Sequence, residues 1–212
     1  MRSVRLPMAC IGSAGLVAAS LVLAAPASAR DTVNGTGGDD HLRGTALSDT
    51  IRGFGGHDVV HALAGADLIF GGSGLDVVDG DRGDDTIRGG PVDDFLDGGQ
   101  GDDTMYGGAG RDELVFGGAG ADVIFGGAMR DPFLADGGGT DTIHGGLGND
   151  RVILVKDGGS DTVTCGPGHD VVVHFGPVGK DTIAADCEKV HVLQPGPRAA
   201  WVRSFTDGTY GP

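Results

Sequence analysis

The chain has 212 residues, of which 43 are glycine and only 5% are aromatic, and it sets 15 Lys+Arg against 30 Asp+Glu for a net charge of −15. That mixture holds too few bulky side chains for an ordinary globular core, and glycine enrichment without the three-residue period of collagen points to disorder or to a repeat. The acidic balance argues against nucleic acid and anionic membranes as partners and in favour of cations.

In chain order, Arg2 and Arg5 make a short basic start, and Met8 to Ala25 then runs without a charge, rich in Ala, Leu and Val. Ala27-Ser28-Ala29 follows, a small-x-small sequence of the kind signal peptidase cuts. This layout predicts a secretory signal over residues 1–29, and therefore a secreted, extracellular product. A membrane anchor fits less well, because Gly12, Ser13, Gly15 and Ser20 dilute the apolar stretch. No later stretch is apolar enough to span a bilayer, so no membrane insertion is expected. Cleavage would remove two cations and no acid, leaving 13 − 30 = −17. Cys10 would leave with the signal, so Cys165 and Cys187 remain as one possible disulfide in an oxidising compartment.

From residue 35 a nine-residue unit repeats. Residues 71–79 read GGSGLDVVD, followed by GDRGDDTIR, GGPVDDFLD, GGQGDDTMY and GGAGRDELV. Asp holds the sixth place without a break at Asp40, Asp49, Asp58, Asp67, Asp76, Asp85, Asp94, Asp103 and Asp112. With small slips the series continues through Asp122, Asp131, Asp141, Asp150, Asp161 and Asp170. Two residues after each Asp stands an apolar side chain, from Leu42, Ile51 and Val60 through Leu114 and Phe133 to Val163 and Val172. A disordered acidic chain has no reason to hold that register. The period means a repeat architecture.

The unit resembles the GGxGxDxUx nonapeptide of the RTX, or haemolysin-type, calcium-binding repeats, over roughly residues 35–173. The resemblance implies an all-β fold, a right-handed parallel β-roll in which two nonapeptides make one turn. GGxGxD would be the loop, xUx a short strand, and several calcium ions would lie between turns. The residues themselves suit that picture. Calcium takes six to eight oxygens, so one carboxylate per loop must be helped by backbone carbonyls, and glycine lets the backbone turn them inward. Alternation along a strand sends the eighth place inward and the seventh and ninth outward.

Two repeats per turn make Asp40, Asp58, Asp76, Asp94 and Asp112 one column, and Asp49, Asp67, Asp85, Asp103 and Asp122 the other. The carboxylates expected to hold calcium are Asp40, Asp58, Asp67, Asp76, Asp85, Asp94, Asp103, Asp112, Asp122, Asp141, Asp150 and Asp170. Loop quality differs: GTALSD, GGPVDD and GGAMRD put Leu47, Val92 and Met129 in place of the fourth glycine, which predicts weaker sites there.

After Phe116 the spacing slips, and the extra residues are expected to bulge out at the loops. The roll is expected to occupy residues 30–190. Its last part, 161–190, is similar to an ending found in secreted actinobacterial calcium-repeat proteins, and reads as a cap over the open end, pinned by Cys165–Cys187. Such a bridge would stabilise by about 3 kcal/mol. Residues 191–212 read as a loosely packed tail in which Trp201 covers the end of the roll.

No Ser-His-Asp set, HExxH or P-loop is present, and the scattered histidines, His57 and His61 among them, read as surface. The repeats begin almost at once after the cleavage point, so no catalytic domain is expected. The function expected is a calcium-binding structural or surface module. An alternative is an adhesin-like binder of polysaccharide, ice or protein, with cell-surface polysaccharide or protein as partner; a remote one is an accessory domain of an enzyme. For the adhesin the outward row Arg52, Phe70, Arg88, Tyr106 and Phe125 is the candidate surface.

Overall fold

The computed structural model describes residues 31–155, 157–176 and 178–193. Eighteen strands, β1 to β18 in chain order, alternate between two parallel sheets. One sheet holds β1 (Thr32–Asn34), β3 (Thr50–Gly55), β5 (Leu68–Ser73), β7 (Thr86–Gly90), β9 (Thr104–Gly108), β11 (Val123–Ala128), β13 (Thr142–Leu147), β15 (Thr162–Thr164) and β17 (Thr182–Ile183). The other holds β2 (His41–Arg43), β4 (Val59–His61), β6 (Val77–Asp79), β8 (Phe95–Gln100), β10 (Leu114–Gly120), β12 (Leu134–Gly139), β14 (Arg151–Val155), β16 (Val171–Phe175) and β18 (Lys189–Leu193). Each strand pairs with the strand two ahead, so one turn of the parallel β-roll is two repeats, as the sequence implies.

Alternation decides what lies between the sheets. Leu42, Ile51, Val60, Ile69, Val78, Ile87, Leu96 and Met105 are all buried in one narrow row. Only one such side chain comes from each repeat, so the apolar core is a single file. The loops carry the rest of the turn, and they need left-handed backbone: Gly101 has φ 128° and stands so close over the Gly83 carbonyl that a Cβ would collide with it. The loops at Phe54, Leu63, Asp81 and Met129 reach positive φ without glycine. Leu47 and Val92, which also replace the fourth glycine, do not.

The extra residues between Asp150 and Asp161 lie in the loop as expected, because the strands on either side keep their register, but those after Asp112 and Asp131 do not. Leu114 pairs with Phe95 and Val115 with Leu96, yet the Glu113 N–H already bonds the Asp94 carbonyl where a seventh-place residue normally does. Glu113 and Leu114 therefore share one partner, a bulge at the strand entrance rather than in the loop. A one-residue slip exchanges the faces of a strand. Val115 is buried in place of Leu114, and Phe116, not Val115, stands outward beside Asp97. In the next turn Pro132 is the added residue, and Leu134 is buried while Phe133 is 40% exposed. The two insertions stack, so the sheet stays continuous.

Residues 161–190 continue both sheets through β15 to β18, with the disulfide Cys165–Cys187 joining two of the last turns. The last strand reaches Leu193, past the residue 191 boundary expected for the tail. Residues 1–29, expected to be a signal, and Trp201 lie outside the described residues.

Candidate metal centre

The loops end on the sixth-place aspartates, and their stacking makes two columns of carboxylates. Asp40, Asp58, Asp76, Asp94, Asp112, Asp131, Asp150 and Asp170 form one; Asp49, Asp67, Asp85, Asp103, Asp122, Asp141 and Asp161 form the other. Within each, the backbone N–H of one Asp donates to Oδ1 of the Asp one turn on, as from Asp94 to Asp112 at 3.0 Å and from Asp103 to Asp122 at 2.9 Å. All are buried, with exposures of 3% or less. From Asp49 and Asp58 onward, one oxygen of each of these carboxylates thus has a donor from the backbone ladder itself.

The other oxygen separates them into two groups. Among the described residues, Oδ2 of twelve aspartates is shut from solvent and has no donor: Asp58, Asp67, Asp76, Asp85, Asp94, Asp103, Asp112, Asp122, Asp131, Asp141, Asp150 and Asp170. At the start of the roll it is satisfied. Thr36 gives both its N–H and its hydroxyl (2.9 Å) to Asp40 Oδ2, and Thr45 does the same for Asp49 at 2.6 and 3.0 Å. Thr takes the second place in those two repeats only because the loop there begins GT instead of GG.

The far end is closed as well. His174 is fully buried, and its two ring nitrogens face the Gly176 carbonyl at 2.9 Å and Asp181 Oδ2 at 2.7 Å. Asp181 Oδ2, at the end of its column, thus has a side-chain partner where the interior carboxylates have none. Glu188 ends the other column, accepting the Asp170 N–H at 2.6 Å.

Burial without a donor is costly for a charge. It pushes the carboxyls up from 3.8, to about 6 at Asp67, Asp76, Asp112, Asp122 and Asp150. It reaches about 7 at Asp85 and Asp141 and about 8 at Asp94, Asp103 and Asp131. Desolvation is the largest cause at each, and the backbone N–H opposes it. Repulsion from a neighbouring column carboxylate adds to it at most of them, Asp94 from Asp76 among them.

The surroundings of those oxygens fit a hard cation. At Gly53, Gly71, Gly80, Gly89, Gly98 and Gly107 a Cβ would collide both with Oδ2 of the Asp five residues on and with the carbonyl oxygen of the glycine one turn ahead. Two acceptors therefore converge at the first place of these repeats, where glycine leaves room for both. Oxygen donors, carboxylate beside carbonyl and without sulfur or imidazole, are the set calcium prefers.

Of the residues expected to bind calcium, all but Asp40 have this open oxygen. Asp131, expected to be weaker behind Met129, is indistinguishable from Asp103 in burial and in its lone Oδ2. Loop glycine at the fourth place does not sort the carboxylates; threonine at the second does. Asp131→Ala is therefore expected to raise the calcium midpoint of folding as much as Asp103→Ala, several-fold, and Asp40→Ala much less. A titration followed by circular dichroism checks the order, and a large shift for Asp40 alone would contradict it.

Sequence reasoning also passed over Asp136, Asp181 and His174. Counting back five from Asp141, and forward four from Asp170, to the first place would have found Asp136 and His174, where most repeats have glycine.

On the outer face, the row through β3, β5, β7, β9, β11 and β13 forms a ladder. Arg52 lies over Phe70 at 5.5 Å and Arg88 over Tyr106 at 4.5 Å. Tyr106 stacks on Phe125 at 4.9 Å, and Phe125 on His144 at 4.8 Å. The ring faces are turned on one another, as expected for rings one strand spacing apart. His57 and His61 are exposed.

Stacked parallel turns with columns of buried, donorless carboxylates define a metal-binding β-roll. The family model for the RTX calcium-binding nonapeptide repeat matches residues 28–53, 34–69, 52–87, 79–114, 111–128 and 133–153, more than half of the chain, and the protein belongs to that family. It is a calcium-binding structural repeat module. No curated protein matches the sequence significantly.

Proposed function

We propose that the protein is exported and acts outside the cell as a calcium-dependent structural module. The ligands in this reading are Asp58, Asp67, Asp76, Asp85, Asp94, Asp103, Asp112, Asp122, Asp131, Asp141, Asp150 and Asp170, assisted by loop carbonyls. The observation that carries it is a contrast among the carboxylates: those in the interior have an open, buried oxygen, while Asp40 and Asp49 at the start are closed by threonine and Asp181 at the end of its column by histidine. Calcium, when bound, supplies the positive charge that the interior positions lack.

Export rests on the signal-like residues 1–29 and on a disulfide suited to an oxidising compartment. Residues 161–190 serve in this reading as the pinned cap of a roll spanning 30–190. Extracellular calcium modules bind at about 10⁻⁴–10⁻³ M, which suits that location. Equilibrium dialysis of the mature chain at millimolar calcium is expected to find several ions bound per chain. A count of none would overturn the reading.

Adhesion through the outer strand face is a second reading. The Arg52 to His144 ladder supports it only as a row of ring edges and guanidinium groups, since the ring faces are occupied by each other.

A further inference from the structure

The first place of the repeat faces the interior, and in most units it is glycine. In β12 it is Asp136: the strand pairs Phe116 with Ala135 and Gly118 with Gly137, so Asp136 stands opposite Gly117. Its carboxylate, 1% exposed, is fixed by the N–H groups of Gly137 at 2.7 Å and Val155 at 3.0 Å. This brings a third carboxylate to a column position that elsewhere has two.

One oxygen from each of Asp136, Asp141 and Asp161 lies within 4.8 Å of the others, and all three residues are buried. Asp141 gives Oδ1 to the Asp122 N–H at 2.8 Å, while its Oδ2 has no donor and no solvent. In the neighbouring repeats that same Oδ2 points at the first-place position, so in this one it points at Asp136. Asp161 gives Oδ1 to the Asp141 N–H at 3.0 Å. Among the described residues none of the three carboxylates is in an ion pair.

Three buried carboxyl groups, none of them in an ion pair among the described residues, are a stronger demand for metal than a loop carboxylate and a carbonyl. The spacing suits one ion: oxygens each about 2.4 Å from a shared calcium are at most about 4.8 Å apart. We propose that Asp136, Asp141 and Asp161 hold a single calcium ion inside the roll, more tightly than the loop positions do, at the junction between the regular repeats and the disulfide-joined end. Calcium affinity rises with the number of charged ligands, so this ion is expected to bind at least about tenfold more tightly than the loop ions. It stays when they leave.

The proposal rests on the calcium reading of the repeats, and the test separates the two. The parent chain, Asp136→Gly and Asp136→Asn are loaded with calcium and then dialysed against graded chelator, with bound calcium counted at each step. Asp136→Gly restores the residue that most repeats have at this place, and Asp136→Asn keeps the size and the acceptor for Val155, so at least one variant folds. The parent is expected to retain one ion after the others have gone. Both variants are expected to lose that last ion while binding the others at unchanged midpoints. The same number of ions and the same final midpoint in parent and variants would overturn the site while leaving the loop reading intact. No calcium on any of the three would overturn both.

Discussion

In a calcium chelator the mature chain is expected to lose most of its β-structure, and to regain it as calcium is returned at about 10⁻⁴–10⁻³ M. The reason lies in what each turn contains. The interior is a single file of apolar side chains, two per turn, such as Leu42 with Ile51 or Leu96 with Met105. Against it stands the ordering of two glycine-rich loops, whose residues lose more freedom on folding than any others. Column neighbours one strand apart, about 4.8 Å, repel by about 1 kcal/mol in water and by more where solvent is excluded. That repulsion recurs along both columns, and among the described residues side-chain donors meet the second oxygen only at Asp40, Asp49 and Asp181. Without a cation, the twelve open carboxylates are the largest unfavourable feature of the fold. Magnesium is expected to substitute poorly, because it demands a tighter octahedron than loops of this flexibility supply. Far-UV circular dichroism with and without chelator checks the expectation. A spectrum that is β-rich and unchanged in chelator would show that the backbone ladders hold the roll alone.

The architecture was legible because its two signals are periodic and independent. Asp at the sixth place and an apolar residue at the eighth keep register over most of the chain, which marks the inward face, and the resemblance to the RTX nonapeptide implies the stacking partner two repeats away. Insertions were not legible in the same way. The ten-residue step after Asp112 shows that a residue was added, but not whether it sits in the loop or beside Glu113, and only its position decides whether Leu114 or Val115 is buried. Grading the carboxylates by their own loops also misled. The donor that closes Asp40 is Thr36, at the second place of the loop, and the partner of Asp141 is Asp136, which lies in the preceding strand. Asp131 was marked down for Met129, yet its environment is set by the turn above and below. The chemistry of a column belongs to the stack, and a single repeat read alone does not contain it.

Acid is expected to act as a partial replacement for calcium and, when calcium is present, as its competitor. Burial and neighbouring charge raise the column carboxyls from 3.8 to about 6 at Asp76 and Asp122, about 7 at Asp85 and Asp141, and about 8 at Asp94, Asp103 and Asp131. A carboxyl whose folded value lies above its unfolded one binds more protons in the folded state. Its favourable contribution is therefore complete below about pH 4 and is lost as pH rises through the folded values, here between 6 and 8. In calcium-free buffer the chain is thus expected to be more ordered at pH 5 than at pH 8, the reverse of a protein held by ordinary salt bridges. Calcium requires the ionised carboxylate, so each ion bound near neutrality displaces protons. If one proton leaves per ion, the calcium midpoint rises about tenfold for each unit that pH falls within this window, and more if a pair of carboxyls shares the ion. Replacing Asp103 by Asn removes one of the highest of these groups and is expected to flatten the pH dependence while weakening calcium-driven folding. The measurement is a calcium titration by circular dichroism at pH 5, 6.5 and 8 in metal-stripped buffer. A midpoint that does not move with pH would mean that the columns are already ionised before calcium arrives, and that solvent reaches oxygens which the fold encloses.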